Sequence, residues 1–199
     1  LTKSVLRAGD PSRLDGQAIL RVHRRAKLLL LDLEGGSLLA FHLKMTGRVW
    51  LAGPDRNLPR HAHLVLELAE GDRIVFEDQR RFGFWGIFEP EDLDGWKFFR
   101  SLGPEPLETS AEELAQCIGA RRAGVKGLLL DQRVLAGIGN IYADESLFAA
   151  RIHPASIASN IPRPRRVTLF TELRRILLDA IEAGGSTISD FSNAYGKSG

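Results

Sequence analysis

The stretch Val134-Leu-Ala-Gly-Ile-Gly-Asn-Ile-Tyr-Ala-Asp-Glu-Ser-Leu-Phe148 decides how the C-terminal half is read. Gly137 and Gly139 stand just before Asn140, with apolar helical patterning on both sides. Glycine opens backbone conformations closed to other residues, so the pair marks tight turns. The N–H groups of such a turn, followed by a helix N-terminus, favour an anion. The segment reads as helix, turns, helix, with a phosphate seat where the second helix begins. That points toward nucleic acid rather than a small metabolite.

Working outward, helical periodicity covers 111–118, 125–130, 140–150 and 167–183. Ser110 and Glu113 form a capping-box pattern ahead of the first of these. Gly184-Gly185 stops the last, and the polar tail 189–199 reads as loop. Upstream, Leu102-Gly-Pro-Glu-Pro-Leu107 has linker composition. Before it lie short apolar or alternating runs at 17–23, 28–33, 37–43, 62–68, 73–78 and 84–88, separated by turn signals such as Glu70-Gly-Asp72. Antiparallel hairpins closed as a sandwich or a barrel fit this spacing. The expected fold class is α+β: a β domain over 1–103, a linker over 104–110 and a helical domain over 111–199. A cleft between two domains is the expected place for a binding site.

The 199 residues are 44% hydrophobic and 26% charged, ordinary for a globular protein. A net charge of +2 says little about a polyanionic partner, so local clusters matter more: 21–27, Arg80-Arg81, Arg121-Arg122 and 163–166. For any one cluster a solvated face is the commoner explanation. No apolar run is long enough to span a bilayer, so no membrane partner is expected. Leu1–Arg7 has no signal-peptide core, which leads us to expect a cytoplasmic setting. The single cysteine, Cys117, permits neither an internal disulfide nor a cysteine metal cluster.

Several residues are candidates for chemistry. Lys27 sits at the mouth of the apolar run Leu28–Leu31, where partial desolvation would lower its pKa and make it useful as acid, base or nucleophile. A strand-flanking charge is the alternative. Met45, the only methionine, suits a core gap or insertion into a base stack. In Asp78-Gln-Arg-Arg-Phe-Gly83, Arg80 suits a phosphate or base edge and Phe82 a wedge between bases. The alternative is a surface arginine pair beside a core phenylalanine. His61 and His63 alternate on a strand but have no further ligand nearby, so bonds to phosphate or backbone are favoured over a metal. Lys126 and Asn140 flank the glycine turns, and Asn140 either contacts phosphate or caps its helix. Asp144 and Glu145, adjacent on a helix, point apart and are read as salt-bridging residues.

Together these residues resemble the formamidopyrimidine-DNA glycosylase family. The resemblance runs in order through Arg24-Arg-Ala-Lys27, His42-Leu-Lys-Met-Thr-Gly47, His61-Ala-His63, Asp78–Gly83, Leu102–Leu107, Leu130-Asp-Gln132, Gly137–Glu145 and Gly184-Gly-Ser-Thr187. It implies an N-terminal antiparallel β-sandwich and a helical domain with a helix-two-turn-helix. It implies an enzyme that flips oxidised purines, such as 8-oxoguanine and formamidopyrimidines, out of duplex DNA and removes them. An N-terminal proline amine attacks the sugar C1′ to give a Schiff base, and elimination at the flanking phosphates follows. By this resemblance Lys27 is a catalytic proton donor near the lesion phosphate. Met45, Arg80 and Phe82 fill the gap left by the flipped base, and His61, Arg121, Lys126 and Asn140 contact the DNA backbone. The expected partner is double-stranded DNA with a damaged or abasic site, bound by a monomer in a bacterial, nucleoid-associated setting.

Two features of the family pattern are not found in these residues. The family begins Pro-Glu-Leu-Pro-Glu, whereas this sequence begins Leu1-Thr-Lys-Ser. The family also ends in a four-cysteine finger holding one structural zinc, and this sequence has one cysteine. The 199 residues alone are therefore expected to be inactive, with no cofactor of their own. Two other readings compete: a non-catalytic module that grips damaged or abasic DNA, and a helix-two-turn-helix protein of another class, as in some ribosomal proteins. Met45 and Arg80–Phe82 weigh against the latter.

Overall fold

A computed structural model describes residues 6–185, which divide into two compact units with the boundary along the chain between Gly95 and Trp96. The expected loop at 189–199 lies outside the described residues. The first unit contains seven strands: β1 (Ile19–Arg25), β2 (Leu28–Leu33), β3 (Leu38–His42), β4 (Gly47–Ala52), β5 (Ala62–Glu67), β6 (Arg73–Asp78) and β7 (Phe84–Phe88). A short helix, α1 (Pro90–Gly95), follows. β1, β2, β3 and β7 form one antiparallel sheet in that order, and β4, β6 and β5 form another.

The alternation of apolar residues explains the layering, because a strand turns successive side chains to opposite faces. Leu31, Leu33, Leu39, Phe41, Trp85 and Ile87 from the first sheet pack with Leu64, Ile74 and Phe76 from the second in one buried cluster. The unit is a sandwich, which decides between the two closures open at the sequence level. β4 was not expected, because the pattern at Leu43–Gly47 reads as a strand end.

The second unit runs from Trp96 to Gly185 through α2 (Lys97–Arg100), α3 (Ala111–Gly119), α4 (Val125–Leu130), α5 (Asn140–Ala149) and α6 (Arg163–Glu182). Its core joins Leu114 and Ile118 of α3, Leu129 of α4, Leu147 of α5 and Leu169, Phe170 and Leu173 of α6. The capping box at Ser110 and Glu113 is formed in full. Residues 104–110, which have linker composition, lie along this unit. Pro104 O accepts from Ala136 N at 3.0 Å, and Arg174 donates to the carbonyls of Pro106 and Thr109. α6 begins at Arg163, four residues before the apolar pattern, because Pro164 in the first turn forfeits no helical hydrogen bond. None of the described helices is long and apolar enough to cross a membrane.

Candidate nucleic-acid interface

In the first unit the strand registers bring three loops to one end of the sandwich. Arg25 pairs with Leu28 across the β1–β2 turn, Leu28 with His42, and His42 with Phe84. The turn carrying Lys27, the loop carrying Lys44 and Met45, and the loop carrying Arg80–Phe82 therefore lie side by side. Each contains a non-glycine residue in the left-handed region: Ala26 at φ 54°, Lys44 at 53° and Arg81 at 56°. Such residues are disfavoured by Cβ crowding and gather where function fixes a backbone.

The side chains at the loop tips face solvent. Met45 is 75% exposed and Phe82 54%, so neither fills the core. This removes the core readings of both residues. The Arg80 guanidinium lies 4.8 Å from the Phe82 ring centroid, a cation–π stack that presents the pair together.

Behind the tips sits a crowd of cations. Lys44 Nζ and the Arg7 guanidinium approach the Phe84 ring at 5.9 and 5.0 Å. Lys27 is exposed as a residue, but partial desolvation, and secondarily the like charge of Lys44, hold its ammonium below its ordinary pKa. His42 is buried and accepts from Lys44 N through Nδ1 at 3.1 Å. Burial, then Lys44 and Lys27, push its pKa down to about 4, so it is neutral at physiological pH. Like charges gathered on one exposed rim suit a polyanion.

Asp78 ties the rim together and carries no role in the sequence reading. It is fully buried at the end of β6 and accepts hydrogen bonds from Thr46 Oγ1, Gly83 N and Arg80 N. Burial raises its pKa, but the bonds from Thr46, Gly83, Arg80 and Phe82 outweigh this and keep the carboxyl below its ordinary value. Gly83 packs closely there: a Cβ would lie 3.0 Å from His42 O and from the Phe76 ring, so a side chain would need these neighbours to give by a few tenths of an ångström. His63 donates through Nε2 to Asp78 O at 2.8 Å, the backbone being one of the two partners, phosphate or backbone, that the sequence leaves open. A register shift in β5 between Ala62 and Leu64 sets His63 apart from the regular alternation that His61-Ala-His63 suggests. His61 is partly exposed, and its carbonyl accepts from Asp78 N. Among the described residues no group of three or more His, Cys, Asp or Glu side chains is placed to hold a metal.

In the second unit, residues 131–139 make the two turns between α4 and α5. Gly137 adopts φ 84°, as the glycine pattern requires. Gln132 wires the turns: Oε1 accepts from Gly137 N at 2.8 Å, while Nε2 donates to Leu130 O and Ile138 O at 3.0 Å each. The N-cap of α5 is Gly139, without a side-chain cap, and no acidic residue occupies its first turn. Asn140 is thus the first helical residue and exposed, which corrects the alternative that it caps the helix. The open N–H groups, the helix dipole and the Asn140 amide together can receive an anion. Lys126 pairs with Asp144 at 2.8 Å on an exposed surface, fulfilling the salt-bridging reading of that carboxylate. Arg121 is exposed, and its Nε donates to Cys117 O at 3.2 Å.

The two units match two family descriptions in sequence. Residues 3–85 match the formamidopyrimidine-DNA glycosylase N-terminal domain, and residues 102–192 match the H2TH domain of the same proteins. A formamidopyrimidine-DNA glycosylase of Solibacter usitatus is 43% identical over 199 residues, covering 98% of this chain and 72% of the relative. One from Cereibacter sphaeroides is 42% identical, covering 94% and 70%. Among solved structures, Lactococcus lactis Fpg in complex with DNA containing Fapy-dG superposes with a TM-score of 0.83 at 30% identity, covering 94% and 69%. The Fpg protein of Thermus thermophilus gives 0.83 at 39% identity, covering 92% and 68%. With the sandwich, the paired turns and relatives of this similarity, the chain belongs to the formamidopyrimidine-DNA glycosylase family.

Proposed function

We propose that this chain serves base-excision repair, gripping duplex DNA at an oxidised purine so that the damaged base can be removed and the strand nicked at the abasic sugar. The observation that carries this reading is the rim of the sandwich. Met45, Arg80 and Phe82 stand exposed on two loops beside Lys27, where apolar and cationic groups together suit a gap in a base stack. The Lactococcus lactis neighbours are described as complexes with Fapy-dG and abasic-site DNA, which supports the same class of partner. Arg121, Lys126, Asn140 and the bare N-terminus of α5 would hold phosphates, and His61 would add a contact from the sandwich.

Lys27 is the candidate acid near the lesion phosphate. Its depressed pKa brings proton release closer to neutrality than an ordinary lysine allows. The family resemblance assigns attack on C1′ to a proline amine outside these 199 residues. By themselves they are therefore proposed to bind damaged duplex without cutting it.

Borohydride trapping on a duplex containing 8-oxoguanine tests this division. The 199 residues should give a retarded complex but no covalent adduct, whereas a protein that also carries the family's Pro-Glu start should be trapped. An adduct from the 199 residues alone would contradict the assignment of the nucleophile. Absence of any preference for damaged duplex in both proteins would remove the repair reading.

A further inference from the structure

Asp78 has no solvent exposure, yet its polar atoms reach three separate segments. Oδ1 accepts from Thr46 Oγ1 on the Met45 loop and from Arg80 N at 3.2 Å. Oδ2 accepts from Gly83 N at 2.6 Å, closing the Arg80–Phe82 loop. The Asp78 carbonyl accepts from His63 Nε2 at 2.8 Å and Arg81 N at 3.3 Å, and its N–H donates to His61 O at 3.1 Å. A carbonyl only accepts, so His63 carries its proton on Nε2.

We infer that Asp78 is a positioning residue that couples the Met45 loop to the Arg80–Phe82 loop, so that the three side chains enter a duplex as one unit. This coupling, more than the overall grip, then sets the preference for damaged over intact DNA. The inference rests on the DNA-repair reading above.

Three observations carry it. The tips are exposed, so apolar packing does not fix Met45 or Phe82. Lys44 and Arg81 hold left-handed conformations, which are costly for a residue with a Cβ and persist where surrounding bonds favour them. The Asp78 carboxylate supplies bonds to both loops at once, and a small misplacement of inserted groups is costly. Asp78 touches no DNA in this scheme. It acts through the side chains it holds.

Thr46 offers the cleaner test, because Thr46→Val keeps the shape and removes only the hydroxyl, while Thr46→Ser restores it. In the intact protein, amide exchange is followed at 43–47 and 79–83. Binding is measured by anisotropy for intact and abasic-site duplexes at one salt concentration, with 2-aminopurine opposite the abasic site reporting insertion. Thr46→Val should lose protection in both loops together, and its abasic preference should fall about tenfold as a donor to a buried carboxylate is lost. Its intact-duplex affinity should stay within about twofold, because phosphate contacts are unchanged. Thr46→Ser should behave as the parent, and Asp78→Asn, where its melt shows it folded, should follow Thr46→Val.

Protection lost at 43–47 alone, or retained in both loops, would overturn the coupling. Loosened loops with an unchanged 2-aminopurine signal and abasic preference would overturn its role in selectivity. If the parent itself shows no abasic preference, the DNA reading fails, while amide exchange still decides whether the loops are coupled.

Discussion

At the scale of single residues, the sandwich rim is an electrostatic problem solved by burial. His42 has a folded pKa of about 4 against 6.5 when unfolded, so the unfolded chain binds more protons between those values. Its contribution to stability is present above pH 6.5 and is lost as pH falls toward 4. The full shift is worth roughly 3 kcal/mol at most. Urea unfolding at pH 7 and pH 4.5 should show this loss. In Lys44→Met, NMR titration should find the His42 and Lys27 values both raised, but short of normal, because burial is the larger cause for each. The residue types at this rim could be read from sequence. The ties that organise them could not: Thr46 and Asp78 are 32 positions apart, and no local period announces a hydrogen bond between them.

At the scale of elements, end signals were more readable than interiors. The capping box at Ser110 is a local pattern and forms as written. Ser110→Ala should cost about 1 kcal/mol in urea unfolding. Glu113→Gln should cost less, since an amide oxygen can still accept the two bonds from Ser110. β4 escaped because Gly47–Ala52 lacks clean alternation: Val49 and Trp50 are both partly buried, and Trp50 stacks with Arg56 at 4.3 Å. α1 and α2, of 6 and 4 residues, are too short for a helical period to show. The early start of α6 was hidden because its first turn, Arg163–Arg166, is polar and contains a proline.

At the scale of the whole molecule, a net charge of +2 conceals where the charge is placed. If Lys27, Arg121 and Lys126 each neutralise one phosphate, log affinity should fall with log salt at a slope of about −3. Arg121→Ala should weaken binding to all sequences and reduce that slope by about 1. A fluorescence titration over several salt concentrations measures both, and a flat dependence would rule out a phosphate grip. The two-part architecture was readable because period two gives way to helical period along the chain. The placement of the boundary was less so, since 104–110 combines linker composition with bonds to helical-unit backbone and side chains. The left-handed Ala26, Lys44 and Arg81 also set how the rim would answer to glycine. At each, glycine would remove the Cβ crowding but widen the unfolded ensemble, so the two effects oppose one another in stability. The folded loops alone would register the change, as freedom gained at the tips.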